Sequence, residues 1–293
     1  MTISRAQLAK ELEPGLNALF GLEYDRYEDE AAEIFESESS DRAFEEEVML
    51  SGFGTAPVKS EGSAISFDNA QETYTARYTM ETIALAFSIT EEAVEDNLYD
   101  SLAKRYTRAL ARSMSQTKQI KGASVMNNAF STASPIGDGA ALCSAAHPSL
   151  SGNQNNLLAT PADLNETSLE EILIQIAGFT DERGLKIAVR GTKLLIPKEL
   201  QFIAERIINS NLRPGSADND INAMKSMGML PEGAVVNHFF TDADAYFVKT
   251  DCPNGFKLFN RTPLKTAMEG DFDTGNMRFK ARERYSFGVS DWR

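Results

Sequence analysis

From Glu91 to about Asn128 the chain reads as one helix, with no proline or glycine before Gly122. Thr90 offers an N-cap hydroxyl, and Glu91 and Glu92 stand where the helix dipole favours negative charge. Val94, Leu98, Leu102, Tyr106, Leu110 and Met114 recur at every fourth position, which predicts an apolar face. At 1.5 Å per residue the rod is ~55 Å long. A small, round domain has little use for such an element, whereas a large, flat one can be built along it. The rest of the 293 residues must therefore lie beside, before or after a spine.

Two segments precede the spine, and neither has the apolar content to bury a core alone. Residues 1–47 form an arm, with a short helix predicted over 4–20: Ser4 caps it, Leu8 and Leu12 share a face, and Pro14-Gly15 interrupts it. Between Glu23 and Glu47 stand twelve carboxylates and two arginines, so this stretch holds −10 of the formal net charge of −14. Such a run is ordinarily solvated or partly disordered, and it also suits an arm that orders against a basic neighbour. Tyr24, Tyr27, Ile34, Phe35 and Phe44 are spaced through it as apolar anchors. Removal of residues 1–47 is expected to leave the central domain folded.

Residues 48–89 read as an extended β-hairpin loop. Gly52, Gly54, Pro57 and Gly62 punctuate a stretch that also carries Phe53, Val58 and Lys59. Over Glu72–Met80, alternation puts Tyr74, Ala76, Tyr78 and Met80 on one face. The phase then slips by one residue, and Ile83, Leu85, Phe87 and Ile89 become the apolar set. A slip in mid-run predicts a bulge or the point where a hairpin re-enters the body.

After the spine, residues 131–167 form a polar connection long enough to be an excursion towards a neighbour. A second helix is predicted from Ser168, with Ser168–Glu171 as a capping box, to about Thr180. A buried strand is expected over Leu185–Ile196. Pro197 then opens a helix with Leu200, Ile203, Ala204, Ile207 and Ile208 as its stripe. A flexible tip over Arg213–Asp220 leads to strands at Gly233–Phe240, Ala245–Lys249 and, after the turn Pro253-Asn254-Gly255, Phe256–Phe259. In the last strand, Met277–Tyr285, Arg278, Lys280, Arg282 and Arg284 take one face while Met277, Phe279, Ala281 and Tyr285 take the other. The cationic face is either solvated or meets an acidic surface of a neighbouring subunit or packaged DNA. The fold class is α+β, with two projecting arms.

Motifs for chemistry are scarce. Neither a GxxxxGK[ST] loop nor a strand followed by GxGxxG is present, and no cofactor is expected. Cys143 and His147 stand four apart as a weak nucleophile–base pair, but Pro148 argues against a helix there. Asp271–Gly275 resembles the opening of a calcium loop with glycine and glutamate misplaced, so no metal site is assigned. The two cysteines, Cys143 and Cys252, make no disulfide framework and fit a reducing compartment. No run approaches the ~20 apolar residues of a membrane helix. The acidic balance disfavours a DNA-reading role.

One stretch is more specific than the rest. Asp138-Gly139-Ala140-Ala141-Leu142-Cys143-Ser144-Ala145-Ala146-His147-Pro148, with Asn156-Leu157 beyond it, resembles the "DG..LF...HP" segment of the Mu-like branch of tailed-phage major head proteins. Cys143 departs from the aromatic residue expected there. The order of elements is similar to that family along nearly the whole chain: the arm, the glycine-rich loop Gly52–Thr82, the spine ending near Asn127–Phe130, the strand ending Leu194–Pro197, and the closing strand Arg278–Tyr285 with Gly288 and Asp291. The resemblance implies the Hong Kong-type capsid fold, shared with herpesvirus shells and encapsulins. It implies an arm at 1–47, an extended loop at 48–89, a peripheral domain at 90–184 with the insertion 131–167, an axial domain at about 185–265, and C-terminal strands at 266–293.

By the same resemblance the protein is a major capsid subunit, not an enzyme, whose copies form hexamers and pentamers of an icosahedral shell around double-stranded DNA. Portal, scaffold or decoration proteins are implied as further partners, with assembly in the host cytoplasm, no membrane partner and location in the virion. Inter-subunit contacts are expected at Tyr24, Tyr27, Phe35, Phe44, Phe53, Val58, Lys59, Tyr74, Tyr78, Arg278, Lys280, Arg282 and Arg284. Some relatives cross-link lysine to asparagine between subunits. Lys59 lies in the loop, without a motif that carries the reaction over. The alternatives are an encapsulin-like nanocompartment shell and, remotely, a hydrolase using Cys143 and His147.

Overall fold

The computed structural model describes residues 5–90, 92, 99–213, 220–271 and 275–293. The expectations for Ser4, for the spine's first turns at Glu91 and 93–98, for the tip at 214–219 and for Phe272–Thr274 lie outside the described residues. In chain order the first elements are α1 (Arg5–Tyr24), β1 (Glu36–Ser39), β2 (Phe44–Leu50), β3 (Glu72–Thr79), β4 (Glu81–Ile89) and α2 (Tyr99–Asn127). Then follow α3 (Glu166–Ala177), β5 (Gly191–Pro197), α4 (Gln201–Asn209), α5 (Ala223–Ser226), β6 (Ala234–Asn237), β7 (Phe247–Thr250), β8 (Phe256–Gly270) and β9 (Met277–Val289).

The spine is α2. It passes through Gly122, whose added Cβ would stand 3.0 Å from Ala31 Cβ, so the glycine serves close approach rather than termination. The buried face is offset by one residue from the expected row. Leu110 and Met114 of that row are buried, whereas Tyr106 is half exposed. Beside Leu110 and Met114 the buried face carries the small and polar residues Ala103, Thr107, Ala111, Ser115, Gln119 and Ala123, which let neighbouring elements come near.

The arm helix α1 lies along this spine and runs through Pro14 without a break. Proline removes one helical hydrogen bond, a cost that would end an isolated helix. Here Leu16 and Phe20 are buried in a cluster with Leu110, Ala111 and Met114 of α2 and with Phe279 and Ala281 of β9, and this packing holds the second half in place.

A four-stranded sheet, in the order β1-β8-β9-β4, carries the spine on one face. The long ribbon β8–β9 is antiparallel, β4 extends it antiparallel, and β1 adds to β8 in parallel. The phase slip at Met80 is the change of partner between two sheets: β3 pairs with β2, whereas β4 pairs with β9. Ala76, Tyr78 and Met80 are buried as the alternation predicts, but Leu85 is 46% exposed because β4 is an edge.

A second body is the three-stranded sheet β6-β5-β7 with α3 and α4 packed against it. Its core includes Leu169, Leu173, Leu194, Leu195, Ile196, Ala204 and Ile207. Here α3 starts two residues before the predicted Ser168, because Asn165 is the cap. Asn165 Oδ1 accepts from Ser168 N at 2.9 Å, while Asn165 N donates to Ser168 Oγ at 3.0 Å. Gly178 closes the helix, earlier than Thr180. The strand expected from Leu185 begins only at Gly191, after Ala188 in a left-handed conformation (φ 53°). A single 3-10 turn, Lys198–Leu200, precedes α4, and Ile203 on the expected stripe is 37% exposed.

Candidate assembly surfaces

The acidic arm is folded back on its own chain. Buried or half-buried cations receive it at successive points. Asp29 meets Lys118 Nζ at 3.1 Å and Gln119 Nε2 at 2.8 Å. Glu33 meets Lys193 Nζ at 2.8 Å, and Lys193 also reaches Glu232 at 3.0 Å. Glu38 meets Lys257 Nζ at 3.0 Å, and Glu47 shares that ammonium. At the surface, Glu30 accepts from His238 N at 2.8 Å and lies 2.6 Å from Nδ1 of that exposed imidazole. Between these ties Ala31, Ile34 and Phe35 enter the main core. The expectation that the domain folds without residues 1–47 is therefore corrected. Their loss would open the core and strand two buried lysines, Lys193 and Lys257, without their arm carboxylates.

The anticipated contact residues divide by burial. Phe35 is 3% exposed, edge-on to Phe256 and Phe287 at 5.5 and 4.9 Å. Tyr78 is also 3% exposed. Its ring sits 4.8 Å from that of Phe259 and its hydroxyl bonds Ser290 Oγ. Tyr74 is half-buried and donates to Ser290 O at 3.2 Å. Tyr24 stacks on Phe20 and donates to Glu283 Oε2 at 3.3 Å, and burial drives its phenol well above the usual range. These four are internal anchors for the arm and the loop base. Tyr27 and Phe44 lie at the surface, the latter beneath the Arg77 guanidinium at 4.1 Å.

Beyond the anchored base the loop is open. Residues 53–71 carry no regular strand or helix, and Phe53, Val58, Ile65 and Phe67 are 60%, 97%, 69% and 96% exposed. Lys59 is exposed beside them. Asp68 holds the loop near the body, accepting from Gly54 N at 2.8 Å and pairing with Arg183 at 2.8 Å. The face of β9 opposite the spine exposes Arg278, Lys280 and Arg282, while Arg284 is half-buried. On the other face Phe279, Ala281 and Tyr285 are buried as expected, and Glu283 is buried among them.

The Asp138–Pro148 segment is a structural clasp. The side chains of Asp138 and His147 are fully buried, with Oδ2 and Nδ1 2.7 Å apart, and the imidazole stacks on Trp292 at 4.2 Å. Asn156 closes the same excursion, accepting from Ser144 N and donating to Leu142 O, both at 2.8 Å. Next to Trp292, Arg293 pairs with Glu182 at 2.6 Å and Asp291 at 3.1 Å. Gly137 rests on the root of the loop, where an added Cβ would be 2.9 Å from Ala76 backbone atoms. An open cavity of about 790 Å³ is lined by Cys143, Tyr246, Phe247, Cys252 and Trp292, among others. Burial pushes both thiols up to about 12, the wrong direction for a nucleophile, so the Cys143–His147 hydrolase reading has no activated group. Among the described residues there is no cluster of His, Cys, Asp or Glu fit to hold a metal ion, and no helix long and apolar enough to cross a membrane.

Sequence reasoning overlooked the receptors of the arm. A signal was present: Lys193 and Lys257 interrupt otherwise apolar strands, and a lysine in a buried strand needs a carboxylate. Nothing in the local pattern paired them with residues about 160 and 210 positions away.

A sequence model of the family described as phage capsid protein matches residues 73–293. Among solved structures, the fold is similar to the capsid of an empty GTA particle, at 12% identity and TM-score 0.57 over 90% of this chain and 87% of that one. It is similar also to the capsid of Myoviridae phage XM1, at 10% identity and TM-score 0.52 over 88% and 86%. The virus-like particle of Pyrococcus furiosus matches at 9% identity and TM-score 0.50 over 94% and 92%. No curated protein sequence matches the chain.

Proposed function

The chain belongs to the phage capsid protein family and is a structural subunit of an icosahedral shell, and we propose that its copies close into hexamers and pentamers around packaged double-stranded DNA. Its place is the virion capsid, and its role is structural rather than enzymatic. The observation that carries the mode of assembly is the extended loop. Its base is tied by Tyr74 and Tyr78, while Val58 and Phe67 are almost wholly exposed. Apolar side chains held so far into water from a fixed base suit a surface completed by another copy.

In this reading Phe53, Val58 and Lys59 of the loop, Tyr27 and Phe44 of the arm, and Arg278, Lys280, Arg282 and Arg284 of β9 contact neighbouring subunits. Tyr24, Phe35, Tyr74 and Tyr78 instead set the angle from which the projections leave the body. The spine with its four-stranded sheet acts as the peripheral domain, and the β6-β5-β7 body as the axial domain. The Asp138–Pro148 clasp supports placing the chain in the Mu-like branch. A portal, with scaffold or decoration proteins, completes the partners, and assembly takes place in the host cytoplasm.

Electron microscopy of purified protein tests the assembly. Closed shells are expected, and small discrete oligomers under every assembly condition would overturn it. Nuclease-protected DNA inside native particles is expected for a viral shell. Co-purified enzyme cargo in its place would assign the shell to a nanocompartment.

A further inference from the structure

The central strand of the large sheet carries a charge pattern that a solvated face does not explain. Strand β9 is hydrogen-bonded on both sides, and its spine-facing residues are buried. On the opposite face the register places Thr82, Ala84, Ala86 and Ser88 of β4 beside Arg284, Arg282, Lys280 and Arg278. On the other flank Lys265 stands directly across from Arg282, and Ala267 across from Lys280. Like charges in a directly opposed cross-strand pair are destabilising, so Arg282 and Lys265 repel within the subunit. Arg278 pairs with Asp271, but Lys265, Lys280, Arg282 and Arg284 make no ion pair among the described residues. Arg284 Nε is buried without a hydrogen-bond partner there. Glu269 stands opposite Arg278, the one cation of the row that already has a carboxylate partner. In a chain of net charge −14, the remaining cations, flanked by small residues of β4, are a floor open to something acidic.

The geometry points to this row as the docking face for the acidic stretch Glu23–Glu47 of a second copy of the chain, an inference that rests on the shell reading. Cations two residues apart on a strand recur at about 6.8 Å, so the row is a continuous line of positive charge along β9. Within Glu23–Glu47, Asp25, Glu28, Glu36 and Asp41 are exposed and make no ion pair among the described residues, so they remain for a neighbour, whereas the other eight carboxylates have partners within the subunit. Duplex DNA is the competing polyanion. It would approach a molecule whose net charge repels it, whereas a neighbouring subunit brings its charge on a local segment. Arginine, three of the four positions in the row, matches carboxylates through its two-pronged donor geometry.

The test uses empty shells assembled from an equal mixture of nitrogen-14 and nitrogen-15 subunits, treated with a carbodiimide that joins lysine to carboxylate without a spacer. Mass spectrometry is expected to find mixed-isotope peptides linking Lys280 or Lys265 to acidic residues within 23–47. The proposal fails if both lysines link only within their own copy, link to carboxylates elsewhere, or stay unlinked while Lys59 reacts. It fails also if Lys280 is protected from acetylation in DNA-filled particles but not in empty ones, since DNA is then the occupant. A Lys280→Ser/Arg282→Ser variant is expected to keep its thermal stability as a subunit and lose shell formation at low salt. Normal low-salt shells from that variant would also overturn the proposal. Failure of the wild-type protein to form any shell would instead strike the shell reading itself.

Discussion

Glu283 shows how one buried group can couple the arm to the sheet. It lies on the apolar face of β9, 5% exposed, and receives the Tyr24 hydroxyl on one oxygen, while Oε1 has no partner among the described residues. Burial raises its pKa from 4.5 to about 6, opposed by the nearby Lys118 ammonium. A carboxyl raised in the folded state contributes stability that is full below about pH 4.5 and is lost as pH rises through about 6. Each pKa unit is worth about 1.4 kcal/mol, so ionisation costs on the order of 1–2 kcal/mol at neutral pH. Glu283→Gln should match wild type near pH 4.5 and melt a few degrees higher at pH 7.5. A melting-temperature difference that stays constant across that range would refute the assignment. Gly288 makes a second test. A Cβ there would stand 2.5 Å from Tyr78 Cε1, an enclosed ring that cannot swing away. Gly288→Ala should cost about 1–3 kcal/mol by overpacking, measured by denaturant unfolding.

At the scale of elements, the hairpin base and the arm share one fastening. Lys257 is 5% exposed and holds Glu38 of β1 and Glu47 of β2 together, while Ser290 Oγ bonds the other oxygen of Glu47 and the Tyr78 hydroxyl. Removing the lysine leaves Glu38 and Glu47 facing one another without a counter-ion, although both carboxylates are partly solvated. Lys257→Ala should destabilise the subunit by about 1–2 kcal/mol. In hydrogen exchange, protection should fall first over residues 36–50. Protection lost evenly along the chain would show that the lysine supports the whole fold rather than this fastening. The same logic explains why α1 survives Pro14: its place is decided by Leu16 and Phe20 against the spine, not by helix propensity.

For the whole molecule, the parts that make the subunit stable are separate from the loop proposed to build the shell. The core clusters run through the spine, the two sheets and the folded-back arm, whereas the loop tip belongs to none of them. Val58→Ser combined with Phe67→Ser should therefore leave the subunit's melting temperature within about 1–2 °C, because exposed substitutions rarely change stability by more than about 0.5 kcal/mol. Sedimentation should show subunits or capsomers in place of shells. Wild-type shells from this variant would remove the loop from the assembly surface.

The sequence by itself determined the elements whose signal is local. The spine was legible from a long run without breakers, the last strand from a period of two, and the loop from its glycines. The order of these elements, together with Asp138–Pro148, was enough for the family resemblance. Tertiary structure alone decided where the acidic segment goes, which face of the spine is buried, and which anchors stay exposed. The physical reason is range. Periodicity and capping act over a few residues, whereas Glu33–Lys193, Glu47–Lys257 and Tyr24–Glu283 join partners remote in sequence. Only the folded backbone brings those groups within hydrogen-bonding reach, where each buried polar atom can find its partner.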